Sequence, residues 1–214
     1  MTDYKKEVAQ ALLDIQAVKL QPNDPFTWAS GLKSPIYTDN RKTISFPKVR
    51  RLIANGLAEL VKEQYPQATA IGGVATAGIP HAAWVAEVLD LPMVYVRSKP
   101  KDHGAGKQIE GAITSDDSVV LIDDLISTGG SVLGAVDAVR REGSEVAGVL
   151  SIFSYELPAA DTNFAAADTQ FSPLTTYSAL LDVQKTAGVL SEEDLNALQE
   201  WRLDPKAWSE QHSN

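Results

Sequence analysis

The chain has 214 residues, a net charge of −9, 44% hydrophobic side chains and no cysteine. That length suits one α/β core, the missing thiols exclude disulfides and thiolate chemistry, and the acidic surplus argues against general binding to nucleic-acid backbones. No run of eighteen apolar residues occurs, so no membrane span is expected, and His81, His103 and His212 are too scattered for a usual zinc spacing.

The opening MTDYKKEVAQALLDIQ is amphipathic, with Val8, Leu12 and Ile15 as apolar positions, which predicts a helix over residues 2–18. It lacks the layout of a secretory signal, so a cytoplasmic location is expected. Next, LQPNDPFTWASGLKSPIYTDNRK carries Pro22, Pro25, Gly31 and Pro35 and reads as extended segments and turns. Its Trp28 and Tyr37 suit either a pocket wall or ordinary packing. Pro47 suits the first turn of a helix running to about Gln64.

From residue 68 the texture changes. ATAIGGVAT, MVYVR, SVVLIDDL and EVAGVLSIF are short apolar runs. Helical stretches at about 77–90 and 131–142 separate the first two and the last two, while a long polar loop separates the middle pair. This alternation predicts a mostly parallel sheet covered on both faces. One domain is expected over residues 1–214, with a core at about 65–155 and an accessory lobe from about 1–45 and 156–214. Helices near 175–187 and 191–203 close the chain. His81 reads as a structural residue near a helix start, and Trp201 and Trp208 as packing residues.

The informative stretch is VVLIDDLISTGGS, residues 119–131. With a strand over 118–122, Asp123 and Asp124 lie beyond its carboxyl end, where open parallel sheets bind ligands. Thr128, Gly129, Gly130 and Ser131 then form the turn into a helix. Glycine amides, hydroxyls and the helix dipole suit a phosphate monoester. Two carboxylates suit the vicinal hydroxyls of a sugar, or magnesium held directly or through water. A phosphorylated ribose satisfies both halves; the bland alternative is a solvated acidic pair before a capped helix. No Gly-Lys-Ser/Thr follows the glycines, and the spaced glycines of a dinucleotide fingerprint are absent.

The loop VRSKPKDHGAGKQIEG sets Arg97, Lys99, Lys101, His103 and Lys107 against Asp102 and Glu110. A long polar loop in a small domain is commonly a lid. A cationic lid beside a sugar-phosphate cradle would neutralise a departing polyanion; a solvated connection is the alternative.

VVLIDDLISTGGS resembles the phosphoribosyl-diphosphate signature of the type I phosphoribosyltransferases. RSKPKDHG resembles the catalytic loop, and FTWASGLKSPIYTDNRK the base-side segment, of the orotate phosphoribosyltransferase family. The resemblance runs from about residue 20 to 155. It implies a type I phosphoribosyltransferase-like α/β fold, with helices flanking the central sheet and a small hood from the two chain ends. The implied reaction joins orotate to 5-phospho-α-D-ribose 1-diphosphate, giving orotidine 5′-phosphate and diphosphate, with magnesium.

By position, Arg97, Lys99, Lys101 and His103 would contact the diphosphate, and Lys101 and His103 would act as the lid closes. Asp123, Asp124, Leu125, Ile126, Ser127, Thr128, Gly129, Gly130 and Ser131 would hold the ribose and its 5-phosphate. Ser127 and Arg41 would lie beside orotate. By the same resemblance, Arg97, Lys101, His103, Asp123 and Asp124 would carry the catalytic roles. The resemblance also implies a homodimer, in which the loop at about 97–111 reaches the neighbouring active site. Gly72, Gly73 and Gly78 flank a strand end that holds either a non-proline cis peptide or a plain tight turn.

Some positions depart from the family pattern. One branch has lysines at the positions of Ala29, Ala77 and Ser98 and an arginine near Tyr155. Lys99 and Arg41 are expected to replace part of that positive charge. Two other readings share the central motif: a purine or uracil phosphoribosyltransferase, and a non-catalytic regulator that senses the ribosyl donor.

Overall fold

The computed structural model describes residues 3–28, 30–99 and 107–212. In chain order, α1 (Tyr4–Asp14) leads into β1 (Val18–Leu20), β2 (Phe26–Thr27), β3 (Lys33–Ser34) and β4 (Ile36–Thr38), then a 3-10 helix (Asn40–Ser45) and α2 (Pro47–Gln64). β5 (Ala70–Val74), α3 (Gly78–Leu89) and β6 (Met93–Val96) follow, then β7 (Ile109–Glu110), β8 (Ser118–Ile126), α4 (Gly130–Arg141) and β9 (Glu145–Ser154). The C-terminal part holds α5 (Pro158–Ala166), β10 (Phe171–Thr176), α6 (Tyr177–Thr186), α7 (Glu192–Leu203) and α8 (Pro205–Gln211).

The main sheet has six strands in the order β10-β9-β8-β5-β6-β7. Every pairing is parallel except β6 with β7, which is antiparallel. The expected α/β fold with a mostly parallel sheet is therefore present. Side-chain alternation divides the core between the two faces. Val120, Ile122, Leu150 and Ile152 pack with Ile53, Leu57 and Val85 from α2 and α3. Val119, Leu121 and Val149 pack with Val132, Val136 and Val139 from α4. Each such side chain, fully buried, contributes roughly 1.5–3 kcal/mol. Among the described residues no helix is long and apolar enough to cross a membrane.

Three expectations are corrected. α1 stops at Asp14 rather than near residue 18, because Gln16 turns the chain with φ +55 and Val18–Leu20 pairs with β4. β8 does not stop at residue 122. It continues to Ile126, because the ten-residue β9 still offers partners: Asp123 lies opposite Ser151 and Leu125 opposite Phe153. The acidic pair is thus inside the strand. The sheet also extends past residue 155, since β10 adds an edge strand beside β9.

Candidate active site

The motif forms strand, loop and helix in sequence. Asp123 is buried, and its Oδ1 accepts from the Asp124 amide at 2.8 Å. Burial, reinforced by the neighbouring Asp124 charge, pushes Asp123 up to about 7. Burial also raises Asp124, while the Arg41 charge opposes that rise. The pair therefore holds a proton more readily than ordinary carboxyls do.

After Ile126 the chain bends, and Gly129 adopts φ +84 as the residue before α4. An L side chain there would be strained and would meet the Phe164 ring. Asn163 Nδ2 donates to Thr128 O at 2.9 Å, tying the loop to α5. No side chain caps α4, so its first amides are available to an anion.

Three hollows adjoin one another around the carboxyl end of β8 and the loop that follows it. The middle cleft, about 380 Å³, is bordered by Asp39, Arg41, Thr76, Asp123, Asp124 and Ser131. It shares Tyr37, Thr38 and Leu125 with a hollow of about 290 Å³ walled by Trp28, Ser127 and Tyr155. It shares Ala75 and Ser131 with a third, about 210 Å³, beside Arg97, Gln108 and Gly130. A hollow of about 420 Å³ lies elsewhere, between α1 and α6, and contains none of the motif residues.

The first side hollow is aromatic. The Trp28 ring lies 5.7 Å from Tyr155 and 5.8 Å from Trp201, and Trp28 Nε1 donates to Ile36 O at 3.1 Å. Burial pushes the Tyr155 hydroxyl up to about 12, so it stays protonated. Ala75 and Thr76, which border the same cleft, are joined by a cis peptide. Gly78, at the start of α3, approaches β8 so closely that a Cβ there would meet the Ile122 carbonyl oxygen.

The structure brings together Arg41, Asp123, Asp124, Leu125, Ser127, Gly130, Ser131 and, at one end, Arg97. Arg97 Nη1 lies 3.9 Å from Glu110 Oε1. The Arg97 amide donates to Gln108 O at 2.9 Å, and Gln108 Nε2 donates to Arg97 O at 2.8 Å. Thr128 is exposed on the loop, whereas the Ile126 side chain is 2% exposed and belongs to the core. Lys99 is exposed and borders none of the three hollows. Lys101 and His103 lie outside the described residues, as does Ala29.

Sequence reasoning singles out Arg41 but misses Asp39, Asn40, Thr76 and Gln108, which border the same hollows. Asp39 and Asn40 directly precede Arg41 in SPIYTDNRK, and that adjacency was their signal. Thr76 and Gln108 carry none. Trp201 and Trp208 are buried packing residues as expected, and His81 is fully buried on α3.

An acidic pair on a strand that runs into an uncapped, glycine-led helix suits a phosphorylated sugar, the substrate class of a phosphoribosyltransferase. In agreement, residues 43–161 match the family described as the phosphoribosyl transferase domain. An orotate phosphoribosyltransferase from Enterococcus faecalis is 57% identical over 208 residues, 97% of this chain and 99% of that protein. Among solved structures, orotate phosphoribosyltransferase from Aeropyrum pernix superposes with a TM-score of 0.72 at 27% identity, covering 86% of this chain and 99% of that one. UMP synthase from Leishmania donovani gives a TM-score of 0.77 at 26% identity; the match covers 92% of this chain but 42% of that longer protein. The chain belongs to the orotate phosphoribosyltransferase family.

Proposed function

We propose that this protein transfers the 5-phosphoribosyl group from 5-phospho-α-D-ribose 1-diphosphate to orotate, releasing diphosphate and forming orotidine 5′-phosphate. The observation that carries the reading is the row of three hollows, with the Asp123–Asp124 pair at its centre. An aromatic hollow suits a flat base, the acidic pair suits ribose hydroxyls, and the α4 amides with Ser131 suit a phosphate.

The reaction needs no protein nucleophile. A ring nitrogen of orotate attacks the anomeric carbon as the bond to diphosphate breaks, and positive charge develops on the ribose. The protein's work is to hold both reactants in line and to stabilise the leaving polyanion. Asp123 and Asp124 accept from the ribose hydroxyls and fix the sugar. Ser127, Trp28 and Tyr155 confine the base. Arg97 lies at the diphosphate end, and Lys101 and His103 join it by the family resemblance.

Magnesium fits this donor set as an ion held mainly by substrate oxygens. Three carboxylates, those of Asp39, Asp123 and Asp124, border the cleft, yet among the described residues no group of three His, Cys, Asp or Glu side chains could hold a metal directly. Asp123 and Asp124 would hold it through water, and when bound it would supply charge neutralisation on the leaving group. A homodimer exchanging the loop at about 97–111, and a cytoplasmic location, belong to the same proposal.

The test mixes the protein with orotate, the ribosyl diphosphate and magnesium, following orotate absorbance and diphosphate release together. Diphosphate release in step with orotate loss is expected. Release with a purine or uracil but not with orotate would refute the assignment of the base.

A further inference from the structure

We propose that Asn40, Thr43 and His81 form a buried positioning relay that sets Arg41 against the Asp123–Asp124 pair; this rests on the reading of the cleft given above. Asn40 is 1% exposed, and Thr43 and His81 are 0% exposed. Asn40 Nδ2 donates to the Asp124 carbonyl oxygen at 2.7 Å. Thr43 Oγ1 donates to the Asn40 carbonyl oxygen at 2.5 Å and lies 3.2 Å from His81 Nε2. A threonine hydroxyl has one proton, and the shorter contact uses it. At the longer contact Thr43 therefore accepts, and His81 donates from Nε2. Burial keeps the imidazole neutral, which suits that role.

The relay joins three separate elements, of which the strand and the 3-10 helix border the cleft. Asp124 belongs to β8, Asn40 and Thr43 to the 3-10 helix, and His81 to α3. The segment just before α3 supplies Thr76 to the same cleft. Arg41 follows Asn40 directly, borders the cleft, and is close enough for its charge to favour the ionised form of Asp124. Rotation of the 3-10 helix would move Arg41 along the cleft; the bond from Asn40 to Asp124 resists that rotation.

Stability alone does not account for the arrangement. His81 Nδ1 and Asn40 Oδ1 are buried without a partner among the described residues. Unpaired buried polar atoms carry a desolvation penalty that apolar side chains of similar shape would avoid. A brace serving only the fold would be better built from hydrocarbon. Local rules broken in this way concentrate where function needs geometry. These three are positioning residues, acting through Arg41 and the Asp124 backbone rather than on substrate.

The test compares kcat and KM for orotate, and melting temperature, in wild type and variants. Thr43→Val keeps the shape but removes the hydroxyl, and kcat/KM for orotate is expected to fall about tenfold. Thr43→Ser should restore it. His81→Gln, which retains a donor, should stay close to wild type, while His81→Leu should resemble Thr43→Val. In an Arg41→Ala background, Thr43→Val should cost almost nothing further. Additive losses in that cycle, or an unchanged Thr43→Val enzyme, would overturn the relay. If Thr43→Val does not fold, the His81 pair decides: equal kcat/KM in His81→Gln and His81→Leu overturns it, and the expected difference upholds it. A wild-type protein that releases no diphosphate with orotate defeats the activity reading instead, so the two failures are distinct.

Discussion

Asparagine at position 123 isolates the electrostatics of the acidic pair. It keeps the side-chain shape and the oxygen that accepts from the Asp124 amide at 2.8 Å, but it cannot ionise. Asp123 is 8% exposed, and burial raises it from an ordinary 3.8 to about 7. A raised carboxyl means that the folded state binds more protons than the unfolded chain between those values. Its contribution is fully favourable below the unfolded value, declines as pH rises through that window, and is lost above about 7. The full rise corresponds to roughly 4 kcal/mol, and because Asp124 shares the same burial, roughly 2–4 kcal/mol should be recovered by Asp123→Asn at pH 8.5. For a chain of this size that is a melting-temperature gain of roughly 5–12 °C. At pH 4.5 the gain should shrink to about 1 kcal/mol, since the aspartic acid is then protonated in the fold. The assay is thermal or urea denaturation of the unliganded protein at both pH values, with turnover measured alongside. Turnover should fall by roughly 10–100-fold, because a charged acceptor is lost. No gain at pH 8.5, or an equal gain at both pH values, would refute the claim that burial neutralises this carboxyl.

Gly78→Ala should push α3 away from β8, because its Cβ would meet the Ile122 carbonyl oxygen and lie 3.1 Å from Asp123 Cα. A loss of roughly 1–3 kcal/mol in denaturation, with reduced turnover, is expected. Trp28→Ala opens the aromatic hollow and should raise KM for orotate more than KM for the ribosyl donor; equal rises would remove Trp28 from the base site. Chelation of divalent ions should abolish turnover yet leave the melting temperature of the unliganded protein unchanged. A chelator-induced drop would reveal a structural metal.

Much of the fold was legible because its signals are local. Val119, Val120, Leu121 and Ile122 form a continuous apolar run, the mark of a strand buried on both faces, and Pro47 marks the start of α2. β10 was illegible because FSPLTT carries Pro173, and proline argues against a strand. It is tolerated because β10 is the edge of the sheet. The extension of β8 through Asp123 and Asp124 was hidden for a different reason: two acids look like a strand's end until the length of β9 is known. At the site, the motif from Asp123 to Ser131 stood out through its residue chemistry and its family resemblance. The contributions of Asn40, Thr43 and His81 were not, since their meaning lies in bonds between segments about 40 to 80 residues apart.

An overall charge of −9 and a polyanionic donor oppose each other unless the cleft suppresses its own negative charge. Burial of Asp123 supplies that suppression, because it makes this carboxyl hold its proton to a higher pH than an ordinary one does. Ribose hydroxyls that donate to the carboxylate, together with a hydrated cation, favour its ionised form and lower its pKa again. Binding of the magnesium–donor complex should therefore expel part of a proton at pH 6.5 and almost none at pH 9. Calorimetric titration in buffers of different ionisation enthalpy reads that proton directly. Phosphate groups of the donor also titrate in this range, so the decisive quantity is the difference between wild type and Asp123→Asn. If that difference is zero at pH 6.5, the acidic pair enters the complex already charged, and the α4 amides and cationic side chains must offset its repulsion unaided.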